Sequence, residues 1–253
     1  MKYIQLTTEN INKEHICCAI SEKKGEHRTT DKKAWLKKRI AEGLVFYKAD
    51  VRGKAFIEYL DGEKAWIPIQ AEHCLFINCL WVAGKYKGTG ISNALLNHCI
   101  EDAKQRNKKG ICILSSRKKM SFLADPNFLT YKGFQCVDEI TPFQLYYLPL
   151  NTKDAAATPK FQDSARTLHC EEDGFVLYYT CQCPHAAHYA AIAKEIVEKA
   201  GWRAHLHLIE SQEEAIQVPA PVTTYALFIN HQFITNEILS EKKLTALLQS
   251  YES

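Results

Sequence analysis

The 253-residue chain contains no run that approaches the roughly 18 unbroken apolar residues of a membrane-spanning helix. Its opening segment, MKYIQLTTEN, lacks the basic stretch followed by an apolar core that marks a secretory signal. Neither an internal repeat nor a low-complexity tract is visible. These absences exclude membrane, repeat and disordered classes, and they lead us to expect a cytoplasmic protein with no membrane partner.

The cysteines and the charge exclude two further classes. Ten cysteines would be many for a secreted enzyme, but most lie inside apolar runs such as FINCL and ICIL. Such cysteines act as small buried hydrophobic residues in a reducing compartment and not as a disulfide framework. The net charge is only +3, and no aromatic side chains are interleaved with the basic clusters as stacking platforms. We therefore expect no nucleic-acid partner.

What is present is an average globular composition, with 46% hydrophobic and 24% charged residues. Residues 151–173 are polar, rich in Ala, Thr, Ser and Pro, and show neither helical nor strand periodicity. This stretch predicts a linker between a first domain at residues 1–150 and a second domain at residues 174–253.

The first domain alternates strands and helices in an α/β (α+β) order. Residues 75–82 and 111–115 form apolar runs that are typical of strands buried on both faces. Residues 91–103 carry apolar side chains at helical spacing. The Asp61-Gly62 pair predicts a hairpin turn between strands at residues 55–60 and 65–69.

A glycine-containing loop joins the first apolar strand to the amphipathic helix. Free N–H groups and the positive end of a helix converge in such an arrangement, which makes it a candidate anion site. The loop matches neither the Walker pattern nor Gly-x-Gly-x-x-Gly, so a dinucleotide-binding fold is not expected. Its residues are Lys87, Gly88, Thr89, Gly90, Ile91 and Ser92.

The segment LWVAGKYKGTGISNALL resembles the acetyl-CoA motif of the GNAT N-acetyltransferases, Arg/Gln-x-x-Gly-x-Gly/Ala. Lys87 stands at the Arg/Gln position, Gly90 matches, and Ser92 replaces the last Gly/Ala. Asn127 resembles part of the second cofactor helix, and Gly133-Phe134 the Gly-Phe pair that follows it. The resemblance covers residues 1–150 and implies the GNAT acyl-CoA N-acyltransferase fold with a mixed sheet.

The resemblance implies an enzyme that moves an acetyl group from acetyl-CoA, its cosubstrate, to an amine-bearing small molecule or peptide. In the family, a splayed strand pairs with pantetheine, and one of its N–H groups polarises the thioester carbonyl; that group corresponds to Leu80 here. The implied cofactor-binding residues are Leu80, Trp81, Val82, Lys87, Gly88, Thr89, Gly90, Ile91, Ser92 and Asn127.

The catalytic acid and base are less well defined by the resemblance. Many members carry a tyrosine four residues before the Gly-Phe pair, where this chain has Leu129, so Tyr131 is the candidate acid. A glutamate that some members carry early in the splayed strand corresponds to Phe76. The candidate bases are Glu58, Glu72 and His73, with Glu72 as the working assignment; the alternative for each is a solvated charge at a strand end.

The second domain has the pattern βαβαββα and begins its first helix near CQCPHAAH. This order resembles a small thioredoxin-like fold, and two segments, GFVLYYTCQCPH and TTYALFINHQFITNEILSEKKL, resemble the YoaP-like domain that follows some bacterial GNAT domains. Ala186 stands where a Cys-x-x-Cys pair would place its second thiol, so Cys183 is a candidate single-thiol site with Cys181 as its neighbour.

Two alternatives remain open for this chain. The first is a protein that binds acyl-CoA or a peptide without turnover. The second is a thiol-redox or metal-handling protein that acts through residues 174–253. Cys181, Cys183, His185 and His188 carry donor atoms suited to zinc, but a Cys-x-Cys pair is unusual in a tetrahedral site, and we predict no metal.

Overall fold

The computed structural model describes residues 1–16, 18–20, 22, 24–150 and 158–252. The chain divides into two compact units. The first unit comprises Met1–Ser21, Lys33–Ala65 and Ile69–Gln162, and the second comprises Glu22–Lys32, Trp66–Pro68 and Asp163–Ser253. Residues 151–157 of the expected linker lie outside the described residues. The division at 1–150, 151–173 and 174–253 stays a prediction.

The first unit is built on a mixed sheet. Its strands are β1 (Tyr3–Gln5), β2 (Val45–Ala49), β3 (Ala55–Asp61), β5 (Cys74–Val82), β6 (Gly110–Ser116), β7 (Gln135–Ile140) and β8 (Phe143–Pro149). They lie in the order β1-β2-β3-β5-β6-β8-β7. Only the β5–β6 pair among them is parallel. The short strands β4 (Ile69–Gln70) and β9 (Lys160–Phe161) form a separate antiparallel pair.

Three helices lie in this part of the chain: α1 (Arg28–Ala41), whose first five residues belong to the second unit, α2 (Ile91–Gln105) and α3 (Pro126–Tyr131). Helix α2 buries Ile91, Leu95 and Cys99 against one face of the sheet, in one cluster with Ile57 and Tyr59 of β3. The apolar spacing of α2 thus predicted its buried side correctly, because residues three and four apart share one helix face.

The hairpin expected at Asp61-Gly62 is wrong. Gly62–Lys64 forms a 3₁₀ turn, and β3 pairs with β2 and β5. A Cβ atom on Gly62 would lie 2.4 Å from the carbonyl oxygen of Ala71, so the glycine serves a close backbone approach and not a two-residue turn.

The second unit has helices α4 (Asp163–Arg166), α5 (Ala186–Lys199), α6 (Gln212–Ala215) and α7 (Glu241–Glu252). Its sheet contains β10 (Phe175–Tyr179), β11 (Ala204–Leu208), β12 (Tyr225–Ile229) and β13 (Gln232–Thr235), in the order β11-β10-β12-β13. Strands β10 and β11 are parallel and the other pairs antiparallel.

The predicted βαβαββα order of the second unit is confirmed from β10 to α7. Its core joins Phe175 and Leu177 of β10 to Ala190 and Val197 of α5 and to Leu244 of α7. The likeness to a thioredoxin-type fold stays a prediction. No helix in the described ranges has the length and apolar character needed to traverse a bilayer.

Candidate active site

Strands β5 and β6 separate in the middle of the sheet. Their parallel pairing runs from Cys74 opposite Gly110 to Ile77 opposite Ile113, and there it ends. Farther along, Leu80 and Val82 pair with β3, while β6 continues against β8. A gap therefore opens between two neighbouring strands, and in the described part of the chain no strand fills it.

A β-bulge occurs where the strands separate. Glu58 of β3 is opposite Cys79 and Tyr59 is opposite Ile77, so Asn78 is an extra residue in β5. A bulge bends its strand and reverses the side to which later residues point. Before it, Leu75 and Ile77 face α2; after it, Leu80 and Val82 pack against the same cluster. Cys79 and Trp81 consequently lie on the opposite face, together with Glu58.

The glycine loop follows β5 directly and opens α2. Gly90 is the N-cap of α2 with φ of 81°, and Gly88 has φ of 76°; both values lie in the left-handed region that favours glycine. Thr89 Oγ1 donates a 2.7 Å hydrogen bond to the carbonyl of Tyr86 and so fixes the turn. Within the described residues, the backbone N–H groups of residues 88–93 have no acceptor. The loop and the 15-residue helix therefore form a cradle suited to phosphate.

A buried carboxylate lies beside the bulge. The Glu58 residue is 1% exposed, and its Oε1 accepts a 3.0 Å hydrogen bond from Asn78 Nδ2. Arg39 of α1 is also buried; burial lowers the pKa of its guanidinium, while Glu42 and Glu58 act electrostatically in the opposite direction. Glu58 is thus a buried carboxyl group on the face that α2 does not cover.

The structure does not bring Glu72 and His73 to this gap. Both are exposed and immediately precede β5, at the end remote from Leu80. Eight residues of extended strand from Glu72 to Leu80 span about 26 Å. The backbone N–H of His73 donates a 2.6 Å hydrogen bond to Glu63 Oε1, and this bond holds His73 in the turn before β5.

Tyr131 is the last residue of α3, 82% exposed, and its ring lies 4.7 Å from Lys132 Nζ. Leu129, at the position of the family tyrosine, is fully buried in the cluster that also contacts Leu80. Asn127 is exposed near the start of α3, where its N–H donates to the capping side chain of Asp125. The part of the expected set that the structure brings together is Leu80, Trp81, Val82, Lys87, Gly88, Thr89, Gly90, Ile91 and Ser92.

Cys183 lies in the loop between β10 and α5. The helix begins at Ala186 with His185 as N-cap, so Cys183 precedes the helix instead of opening it. Its carbonyl accepts a 3.0 Å hydrogen bond from the Ala186 N–H. Arg28 Nη1 lies 3.5 Å from His185 Nδ1 in the same unit. Among the residues that the structure describes, no group of three or more His, Cys, Asp or Glu side chains is arranged to hold a metal ion.

Two family models match the chain. Residues 9–120 match the Acetyltransferase (GNAT) family, and residues 204–245 match the model described as YoaP-like. The "Uncharacterized N-acetyltransferase YoaP" of Bacillus subtilis (strain 168) is 42% identical over 251 residues, which cover 99% of both chains. The chain therefore belongs to the GNAT acetyltransferase family and ends in a YoaP-like domain.

Two solved structures that are similar to part of this chain have low sequence identity to it. A ribosomal-protein-alanine N-acetyltransferase from Brucella melitensis is 14% identical, with a TM-score of 0.42. The match covers 59% of this chain and 100% of that chain. The paia N-acetyltransferase from Thermoplasma acidophilum, solved with coenzyme A, is 16% identical, with a TM-score of 0.40, 59% of this chain covered and 99% of that chain.

Family membership confirms three predictions made from the sequence. The chain is an acyltransferase enzyme, its fold is the mixed α/β fold of the GNAT enzymes, and its cosubstrate is acetyl-CoA. The acceptor and the roles of individual residues are not given by the family, and they depend on the geometry of the gap.

Proposed function

We propose that the first unit transfers the acetyl group of acetyl-CoA to a primary amine of a small molecule or peptide by direct attack on the thioester. The observation that carries this proposal is the gap between β5 and β6, which leads directly to the N–H cradle at residues 88–93. The expected location in the cytoplasm stays a prediction.

The cosubstrate fits this geometry at both ends. Pantetheine would lie along residues 80–82 as an added strand, because extended peptide-like groups complete an open strand edge. The pyrophosphate would accept hydrogen bonds from the N–H groups of residues 88–93, with Lys87 adding positive charge. Asn127, exposed on α3, would contact the cosubstrate from the β6 side.

The acceptor amine would approach from the face that carries Glu58, because the opposite face of β3 and β5 is filled by α2. Glu58 would act as general base and take a proton from the ammonium, directly or through a water molecule. The amine nitrogen then bonds to the thioester carbon, and the Leu80 N–H stabilises the oxyanion. When the C–S bond breaks, the thiolate leaves, and the second proton that the nitrogen loses as the amide forms ends on the sulfur; we assign no residue to that transfer, because Tyr131 is directed into solvent.

The test compares two glutamates that the sequence alone did not separate. CoA release from acetyl-CoA is measured over a panel of amines with the wild type, Glu58→Gln and Glu72→Gln. Loss of a general base lowers kcat by roughly 100- to 10,000-fold, and we expect this for Glu58→Gln alone, with acetyl-CoA affinity unchanged. Equal losses in both variants would remove Glu58 as the base. Acetyl-CoA binding without CoA release for any amine would favour a binding protein.

A further inference from the structure

A row of side chains runs from Glu58 of β3 to Lys54, the residue that precedes the strand. Alternation along β3 places Phe56 and Glu58 on one side, away from α2, and the ammonium of Lys54 lies over the Trp81 ring on the same side. Phe56 is opposite Trp81 and Glu58 is opposite Cys79, so β5 contributes these two residues to the same face. The row has the buried carboxyl group of Glu58 at its inner end, the buried ring of Phe56 and the partly exposed ring of Trp81 in the middle, and the partly exposed Lys54 at its outer end.

Trp81 holds the ammonium of Lys54 in position. Lys54 Nζ lies 4.0 Å from the centroid of the Trp81 ring, a distance typical of a cation–π contact. The backbone is fixed as well, because the Ala83 N–H donates to the Lys54 carbonyl at 2.9 Å. Across the described part of the chain, this ammonium forms no ion pair and no hydrogen bond with protein, and the Trp81 residue is 37% exposed. A positioned cation therefore remains available to a ligand.

The side chain of Lys54 lies on the face of the sheet that is opposite α2, whereas pantetheine would lie along the edge of β5 that faces β6. The phosphates have their own partners in the N–H groups of residues 88–93.

We propose that Lys54 selects the acceptor, and that the preferred acceptor is a primary amine with an anionic group at the far end of the molecule. This inference rests on the proposed function, since it takes the face of Glu58 as the acceptor side. Four residues of strand separate Lys54 from Glu58, which corresponds to about 13 Å between backbone positions. An acceptor with an ammonium at one end and a carboxylate roughly 10 Å away is complementary to both. A polyamine is not complementary to the two residues, because its second ammonium would be repelled by the ammonium of Lys54.

Three peptide amides that differ only in charge test this inference: Ala-Ala-Ala-Glu, Ala-Ala-Ala-Gln and Ala-Ala-Ala-Arg. In an extended chain the N-terminal amine lies about 10 Å from the fourth residue, at roughly 3.4 Å per residue. The full-length protein is assayed for kcat/KM by CoA release. Independently, peptide affinity is measured by calorimetry in the presence of CoA, so a failure of catalysis is distinguished from a failure of recognition.

For the wild type we expect a preference of about tenfold for the glutamate peptide over the glutamine peptide, the scale of one hydrogen-bonded charge pair. Lys54→Met should abolish the preference and Lys54→Glu should transfer it to the arginine peptide. The matched control is Lys37→Glu, which makes the same charge change at an exposed position of α1 and should leave the order unchanged. Equal affinity and equal kcat/KM for the three peptides with the wild type, or an unchanged order in both Lys54 variants, would overturn the inference.

Discussion

Asn78 and Glu58 are joined by a 3.0 Å hydrogen bond from Nδ2 to Oε1, and Asn78 is the extra residue of the bulge. The residue that opens the gap between β5 and β6 therefore also orients the buried carboxylate beside it. This couples the backbone irregularity beside the proposed cosubstrate gap to the group that we propose as base.

Replacement of Asn78 tests this coupling. Asn78→Ala removes a donor to a carboxylate, and we expect kcat to fall about tenfold, with little change in acetyl-CoA affinity. Asn78→Asp has nearly the same shape but places a second carboxylate beside Glu58, so its loss should be larger. A purely structural role would give the opposite order, because the alanine variant perturbs packing more. Melting curves of both variants check that each is folded.

Acetyl-CoA binding should depend on Gly90. A Cβ atom on Gly90 would meet no atom within 4 Å, so a side chain has space there, although the φ of 81° strains any residue other than glycine. Gly90→Glu should nevertheless abolish acetyl-CoA binding in calorimetry, because its carboxylate would oppose the pyrophosphate.

The matched control for this experiment lies in the second unit. Gly201 has φ of 80°, close to that of Gly90, and also has open space around it. Gly201→Glu therefore introduces the same charge with similar backbone strain. Unchanged affinity in a folded Gly90→Glu protein, or equal loss in both variants, would remove the glycine loop as the phosphate site.

The stability of the first unit should fall in mild acid. The His98 ring stacks on Tyr47 with centroids 3.7 Å apart, and burial lowers its pKa below the ordinary value of 6.5. Burial, followed by Lys48, likewise lowers the pKa of His15. The folded state favours the neutral rings, so their contribution is complete above pH 6.5 and is lost as the pH falls through the lowered values.

Urea unfolding between pH 7.5 and pH 5 measures this loss. His98→Phe keeps an aromatic ring on Tyr47 but cannot take up a proton, so we expect a weaker dependence of the unfolding free energy on pH. His73→Asn replaces an exposed histidine with a residue that tolerates its φ of 61° and should leave the dependence unchanged. The same slope in the His98→Phe variant would contradict the prediction.

Iodoacetamide at neutral pH should label Cys183 before the buried cysteines of the first unit, Cys74 and Cys99. Cys183 is half-buried, whereas burial raises the pKa of Cys74 to about 11 and raises the pKa of Cys99 well above its ordinary value. Fewer thiolates and poorer access both slow the reaction of the buried thiols. Cys181 is the internal comparison, since it lies farther from α5; equal rates at Cys181 and Cys183 would argue against an effect of the helix end. Slow labelling that a chelator accelerates would indicate a metal.

The sequence was most informative where structure depends on neighbours along the chain. The apolar spacing of residues 91–103 predicted the buried face of α2, and the glycines at positions 88 and 90 predicted the turn that opens it. Both follow from local geometry, because a helix face and a left-handed residue are fixed by positions within one turn.

The candidate base could not be chosen in this way. The run CLFINCLWV is almost continuously apolar and so gives no indication of which residue is extra or which side chains face α2. The sequence left Glu58, Glu72 and His73 as candidates with Glu72 as the working assignment, whereas the register places Glu58 beside the gap and the other two at the far end of β5. One feature of the sequence did point to Glu58. It is the single charged residue type within AFIEYL, and a charged residue in an apolar strand is expected to be held by partners.

The sequence by itself indicated the family, the order of elements in the second unit and the glycine turn that opens α2, because each depends on residues that are close together in the chain. Only the tertiary structure decided where β5 and β6 separate, which face Glu58 and Lys54 share, and that Tyr131 is directed into solvent. These features depend on the pairing of strands distant in sequence, and a shift of one residue in that pairing moves every later side chain to the other face.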